Sequence, residues 1–238
     1  MPTPHHPSSR AVSAVRGLAM LAALIASLSM APPARAVDLA ADYGTQYLSH
    51  MAVHAALTDN PGDQPGYPLS ITRSGTYRLV QDLGSSDPSD VIHVADGVTV
   101  TIDLNGFSLQ GRATCSRTVV CNAPQGTVGV RLLGPRAHAR VINGSIGGFT
   151  QAAVSAFGLS GGTGGTLILQ DLKLAGNGSG VVGNRAVASR LIVRDNSLRG
   201  VWAQVLQLSD SQIEGNGGGN LSGGLNVAGT NIAGPERN

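Results

Sequence analysis

Three aspartates, Asp171, Asp195 and Asp210, fall at the same point of a recurring apolar pattern, with Arg190, Arg194 and Arg199 close by in sequence. Carboxylates stacked in a row can act as oxygen ligands for Ca2+, and a nearby arginine can clamp a substrate carboxylate or take a proton. Asp171, Asp195 and Asp210 are therefore the candidate metal ligands, and Asp195, Arg199 and Asp210 the candidate catalytic set. The same positions have a plainer reading, because a sharp bend favours Asp or Asn whatever the function. A buried line of acids would repel itself, so these must sit at a solvated bend or share a cation. Trp202 is the one candidate for stacking on a sugar ring: it follows Val201, so if Val201 faces a core, Trp202 faces outward; its plainer reading, and the preferred one, is a packing residue beneath a side loop.

Other residue pairs point less far. His50 and His54 are four apart, as two imidazoles sharing a metal on a helix would be, but no third ligand is placed to complete a set. They read as a surface pair on a short helix. Cys115 and Cys121 lie in the polar stretch GRATCSRTVVCNAP, and in an oxidising compartment they are expected to form a disulfide closing a short protruding loop. The glycine-rich runs at 158–165 and 215–224 lack the lysine of a phosphate loop and the order of a dinucleotide fingerprint, so they read as connecting loops.

The elements that would position these residues are strands. The pattern Val/Leu-x-x-x-x-Ile/Leu-x-Gly starts at Leu104, Val141, Leu169, Val193, Leu208 and Val227, at steps of 37, 28, 24, 15 and 19 residues. A second series, Gly129-Val130, Ala153-Val154, Gly180-Val181 and Gly200-Val201, precedes those strands. An imperfect repeat of short apolar strands broken by Gly and Asn describes a solenoid whose coils stack to bury one continuous core. Coils of roughly 20 to 27 residues suit three short parallel strands per turn, and the expected fold is an all-β, single-stranded right-handed parallel β-helix. Within it, Asn143, Asp171, Asp195 and Asp210 would form one column of bend residues. The short step after Val193 means either compressed last coils or one coil counted twice. Residues 71–83 read as a hairpin-like or edge element, and 37–70 as an N-terminal cap with a short helix and a Pro/Gly linker. The solenoid is assigned to 71–238.

Residues 1–36 read as a secretory signal peptide: Arg10 and Arg16 lead an apolar run at 18–31 that is too short to span a bilayer, and Ala34-Arg35-Ala36 supplies a cleavage site. The expected product is secreted, periplasmic or at the cell surface, with no membrane span left. Three of the 16 basic residues and no acids lie in that leader, so the remainder carries 13 basic and 14 acidic residues. Its basic pI belongs to the precursor, and nothing in the rest suggests nucleic acid. The abrupt end at GLNVAGTNIAGPERN leaves three expectations: the final residues fold over the solenoid end, a partner or second copy covers it, or the chain is a truncated member of a longer design.

GTYRLVQDL, ADGVTVTIDLNGFSLQG and RVINGSIGGF resemble the opening of exported bacterial right-handed β-helix proteins of the pectin-lyase-like superfamily, across residues 71–234. The resemblance implies the fold, and for those members that are enzymes it implies polysaccharide substrates. Two functional readings follow. One is a non-catalytic binding or structural protein meeting a polysaccharide or a surface protein, without a cofactor. The other is a polysaccharide-active enzyme: a Ca2+-dependent lyase using the acids and arginines above, or less favourably a glycoside hydrolase. Against hydrolysis, there is no Asp-Asp pair and no His after His138.

Overall fold

The structure, a computed structural model, describes residues 45–57, 60–85, 88–121, 126–157, 164–228 and 232–233. The signal-peptide expectation at 1–36 and the last residues of the chain lie outside them. Seventeen strands form one curled sheet, and every strand pairing within it is parallel. The chain returns to the same sheet position once per coil, so three flanks run along the molecule.

The first flank stacks β2 (Leu69–Ile71), β5 (Ile92–Val94), β8 (Val128–Leu132), β10 (Ala152–Ser155) and the leading parts of β12 (Ser179–Ser189), β14 (Val201–Ser209) and β16 (Leu221–Ala228). The second stacks β1 (Thr45–Leu48), β3 (Gly75–Leu79), β6 (Thr99–Asp103), the first halves of β9 (His138–Gly147) and β11 (Thr166–Ala175), and the trailing parts of β12, β14 and β16. The third stacks β4 (Leu83–Gly84), β7 (Ser108–Gln110), the ends of β9 and β11, then β13 (Ile192–Arg194), β15 (Gln212–Glu214) and β17 (Ile232–Ala233).

Alternation decides what each flank buries. Leu69, Ile92, Val130, Val154, Val181 and Val201 stack in register on the first flank, and all are fully buried. Leu83, Leu109, Ile146, Leu174, Val193 and Ile213 do the same on the third. Each such side chain contributes about 1.5–3 kcal/mol of hydrophobic burial, in rows one strand spacing apart.

Register corrects the repeat read from sequence. Ile102, Val141, Leu169, Ala188, Leu208 and Val227 are the true equivalents on the second flank. Val193 instead belongs to the third flank, between Leu174 and Ile213. The short step was a match shifted by one flank; Val181, Val201 and Leu221 align in the last coils, with one register shift between Ala203 and Val205. The longest interval on the first flank, from Ile92 to Val130, contains the cysteine loop. The strands within 75–84 are parallel solenoid strands, not a hairpin, and the sheet also takes in Thr45–Leu48 and Leu69–Ile71. A short helix, α1 (His50–Ala55), carries the histidine pair and is N-capped by Ser49, whose hydroxyl accepts from the Ala52 amide.

Candidate functional site

The corners of the coil place the polar residues. Between the second and third flanks, Asn143, Asp171, Arg190 and Asp210 all have positive φ, between 50° and 61°. Asn and Asp tolerate this conformation better than other non-glycine residues. Between the third and first flanks the corresponding positions are Gly148, Gly176, Asp195 and Gly215, with φ of 81°, 70°, 57° and 63°. The expected acid column is therefore split. Asp195 occupies a glycine position on the other corner, and Arg190 takes its place between Asp171 and Asp210.

That substitution changes the electrostatics. Arg190 grips Asp171 through Nε–Oδ1 at 2.6 Å and Nη2–Oδ2 at 2.8 Å. The hydrogen bonds from Arg190 hold the Asp171 carboxyl below its ordinary value, and Asp171 raises Arg190 in return, with Asp210 adding to the field. The column reads acid–base–acid, so the central guanidinium offsets one of the two carboxylate charges and relieves their repulsion. Asp195 lies at the far end of β13 from Arg190, beside Arg194 at 3.6 Å, with both side chains about half exposed. Arg199 stands on the approach to the first flank. The proposed catalytic set Asp195, Arg199 and Asp210 is thus spread over two corners and a flank, and of the three only Arg199 lines either the depression beside Trp202 or the trough along the third flank. Among the described residues no three His, Cys, Asp or Glu side chains gather into a metal-binding group, so Asp171, Asp195 and Asp210 are not brought together.

Trp202 does face outward. Val201 is fully buried beneath it, and the indole is half-buried on the first flank, in register with Val182 and Ser222. Phe157 stacks on it with ring centroids 5.0 Å apart and planes 29° from parallel, and the Arg199 guanidinium carbon lies 5.9 Å from the ring centroid. Beside it opens a depression of about 500 Å³ lined by Ser179, Val182, Leu198, Arg199, Trp202 and Gly218. Among the described residues its lining has one cation and no acid. A second, smaller trough of about 310 Å³ runs along the third flank, over Gln110, Gly147 and Ala175, with Ser108, Ser145 and Lys173 in register beside it. Asp82 anchors its Ser108 end by accepting from that residue's amide and hydroxyl at 2.7 and 2.8 Å.

One polar cluster was invisible in the sequence. Asp90 accepts from the Val128 amide, from Arg131 Nε at 2.5 Å and shares a 2.7 Å hydrogen bond with His93. Arg131 also donates to the Gly126 carbonyl and the Gln151 side chain, both at 3.0 Å. Burial pushes the Asp90 carboxyl up, but the hydrogen bonds and charges of His93 and Arg131 outweigh it and hold it below its ordinary value. Asp90 and Arg131 are buried, so this group pins neighbouring coils on the first flank and offers no open chemistry. Only the register His93↔Arg131, across 38 residues, reveals it.

Cys115 and Cys121 are bonded, as expected. The segment is exposed over 117–120 but anchored at its start. It lies along the corner between the third and first flanks, with the Gly111 and Ala113 amides donating to the Gly147 and Gly148 carbonyls. Directly under that corner runs a buried asparagine ladder. Asn177 donates from its amide nitrogen and side chain to Asn196 Oδ1 at 3.0 and 3.1 Å, Asn196 does the same to Asn216, and Asn216 to Asn220.

Compared with family models, curated proteins and solved structures, the chain matches none of them.

Proposed function

We propose that this is an exported, right-handed parallel β-helix of the pectin-lyase-like kind that binds a polysaccharide without cleaving it, outside the cell or at its surface. The observation that carries the reading is the ledge on the first flank: an outward indole, braced by Phe157 and bordered by Arg199, beside an open depression. An amphipathic ring next to a hydrogen-bonding cation suits a sugar face and its hydroxyls or acid groups. Two of the corner carboxylates, by contrast, are engaged with arginines: Asp171 with Arg190 and Asp195 with Arg194. Catalysis on a polysaccharide needs them convergent and differently tuned. The apolar leader and the disulfide fit export.

The test is affinity electrophoresis of residues 37–238 through gels containing uronate-bearing or neutral polysaccharides, alongside assays for reducing ends and unsaturated products with and without Ca2+. Retardation by at least one glycan with no product is the expected result. Trp202→Ala should weaken that retention about tenfold, the equivalent of about 1.4 kcal/mol, while the β-sheet circular dichroism stays intact. Calcium-dependent unsaturated products that vanish in Asp195→Asn would replace this reading with the lyase.

A further inference from the structure

The segment 111–121 touches more of the molecule than a loop closed on itself requires. The Cys115 backbone carbonyl comes within 3.6 Å of where a side chain on Gly176 would begin, and the Arg117 carbonyl within 2.8 Å of the same point on Gly217. The Ser197 carbonyl of the neighbouring coil lies closer still to that point, so coil stacking alone already requires glycine there and the Arg117 carbonyl rests beside it. Cys121 Sγ lies 3.3 Å from the Ser197 hydroxyl, which can donate to it. Gly148, Gly176, Ser197 and Gly217 belong to four successive coils, so the segment runs lengthwise along their shared corner. Its tip is held in shape by paired hydrogen bonds between Ser116 and Val119, inside the ring that Cys115–Cys121 closes.

Two of those seats are adjacent in sequence to the depression beside Trp202. Ser197 precedes Leu198 and Arg199, and Gly217 precedes Gly218, all three of which line it. We propose that the disulfide-closed segment 111–121 is a thiol-sensitive strap that fixes the corner at 197–199 and so sets the position of Arg199 against Trp202. The coupling to the groove stands on these contacts; its consequence for ligand affinity rests on the glycan-binding reading above. Cys121 is half-buried and Cys115 buried, so a small dithiol reaches the Cys121 side first. Its thiolate attacks Cys121 Sγ and expels Cys115 as thiolate; the second thiol then resolves the mixed disulfide. Two electrons and two protons pass to the cysteines, and the dithiol leaves as its own disulfide. The reduced ring loses the constraint that shapes its tip, and the contacts at Ser197 and Gly217 loosen. The remaining solenoid keeps its parallel ladders, because the disulfide closes only a few residues.

The chain has a single tryptophan, so Trp202 reports on its own groove. The experiment follows tryptophan emission and acrylamide quenching of the folded, oxidised protein before and after a dithiol, with thiol titration to prove reduction and far-ultraviolet circular dichroism to follow the sheet. Phe157→Leu calibrates what losing the ring stack does to the emission. The expected result is a red shift and stronger quenching on reduction, with an unchanged β spectrum. Ser197→Ala with the disulfide intact should move both in the same direction by less. Full reduction with no change at Trp202 overturns the proposal, and so does a loss of the β spectrum, which would make the disulfide a general staple. Glycan retention is measured in the same samples. If Trp202 responds to reduction while no glycan binds either form, the strap stands and the glycan-binding reading fails.

Discussion

At the scale of single residues, the most consequential interaction is one that touches no groove. Asp90 and Arg131 are both buried and answer each other's charge, so removing one strands the other. Arg131→Met should destabilise the fold by about 3–5 kcal/mol, measured by urea denaturation, whereas Asp90→Asn combined with Arg131→Met should recover much of the loss. The pH dependence has a definite sign. The folded Asp90 carboxyl titrates below its unfolded value, near 3.8, so its contribution is complete above that value and is lost as pH falls through the folded value. Acid unfolding of the wild type should therefore steepen below the ordinary carboxylate range, and the double variant should flatten that limb. An equally steep limb in the double variant would assign the acid sensitivity to other carboxylates. Asp195 makes the opposite kind of prediction. It holds a left-handed corner that the coils around it fill with glycine, so Asp195→Gly should leave stability within about 1 kcal/mol of the wild type. Asp195→Val should cost about 2 kcal/mol, because a β-branched side chain fits that conformation worst. Glycan retention should be unchanged in Asp195→Gly, which a lyase reading would not tolerate.

At the scale of elements, the strands were legible because alternation is a local property: Val98, Val100, Ile102 and Leu104 announce a half-buried strand, and Leu169 and Leu174 bracket a corner whatever follows. The disulfide was legible for the same reason. What escaped was register, which is set by the lengths of intervening loops. A pattern matching Val193 to Leu169 is as good in the sequence as one matching Ala188 to Leu169, yet only the second aligns the hydrogen bonds between coils. That one-flank shift moved Asp195 into a column it does not join and hid Arg190, whose positive φ no propensity scale would suggest. The side taken by Trp202 hung on whether Val201 faces the core, which it does: Val201 is fully buried and Trp202 half-buried. The Asp90 cluster and the course of the cysteine segment along the corner depend on contacts between coils many residues apart, and single-sequence spacing carries no record of them.

At the scale of the whole molecule, each coil touches mainly the coils before and after it, so stability should be a sum of local and neighbour terms instead of one indivisible quantity. The asparagine ladder provides a place to test this. Asn196 accepts from the Asn177 amide and side chain, and donates to the Leu174 carbonyl at 3.2 Å and to Asn216 at 2.9 Å, all of it buried. Asn196→Ala strands several buried polar groups, each worth about 1–3 kcal/mol, for a net cost of about 3 kcal/mol. In a globular domain with one shared core, that loss would lower amide protection everywhere. In a solenoid it should fall on the coils that the ladder joins. Native-state hydrogen exchange should show protection at Val193, Val201, Leu208 and Ile213 reduced by about two orders of magnitude, with Ile92, Ile102 and Leu109 left close to wild type. A uniform drop across both groups would mean that the strap and the continuous core bind the coils into one cooperative unit. The graded result would also explain how the corner at 197–199 can respond to the strap without unsettling the coils far from it.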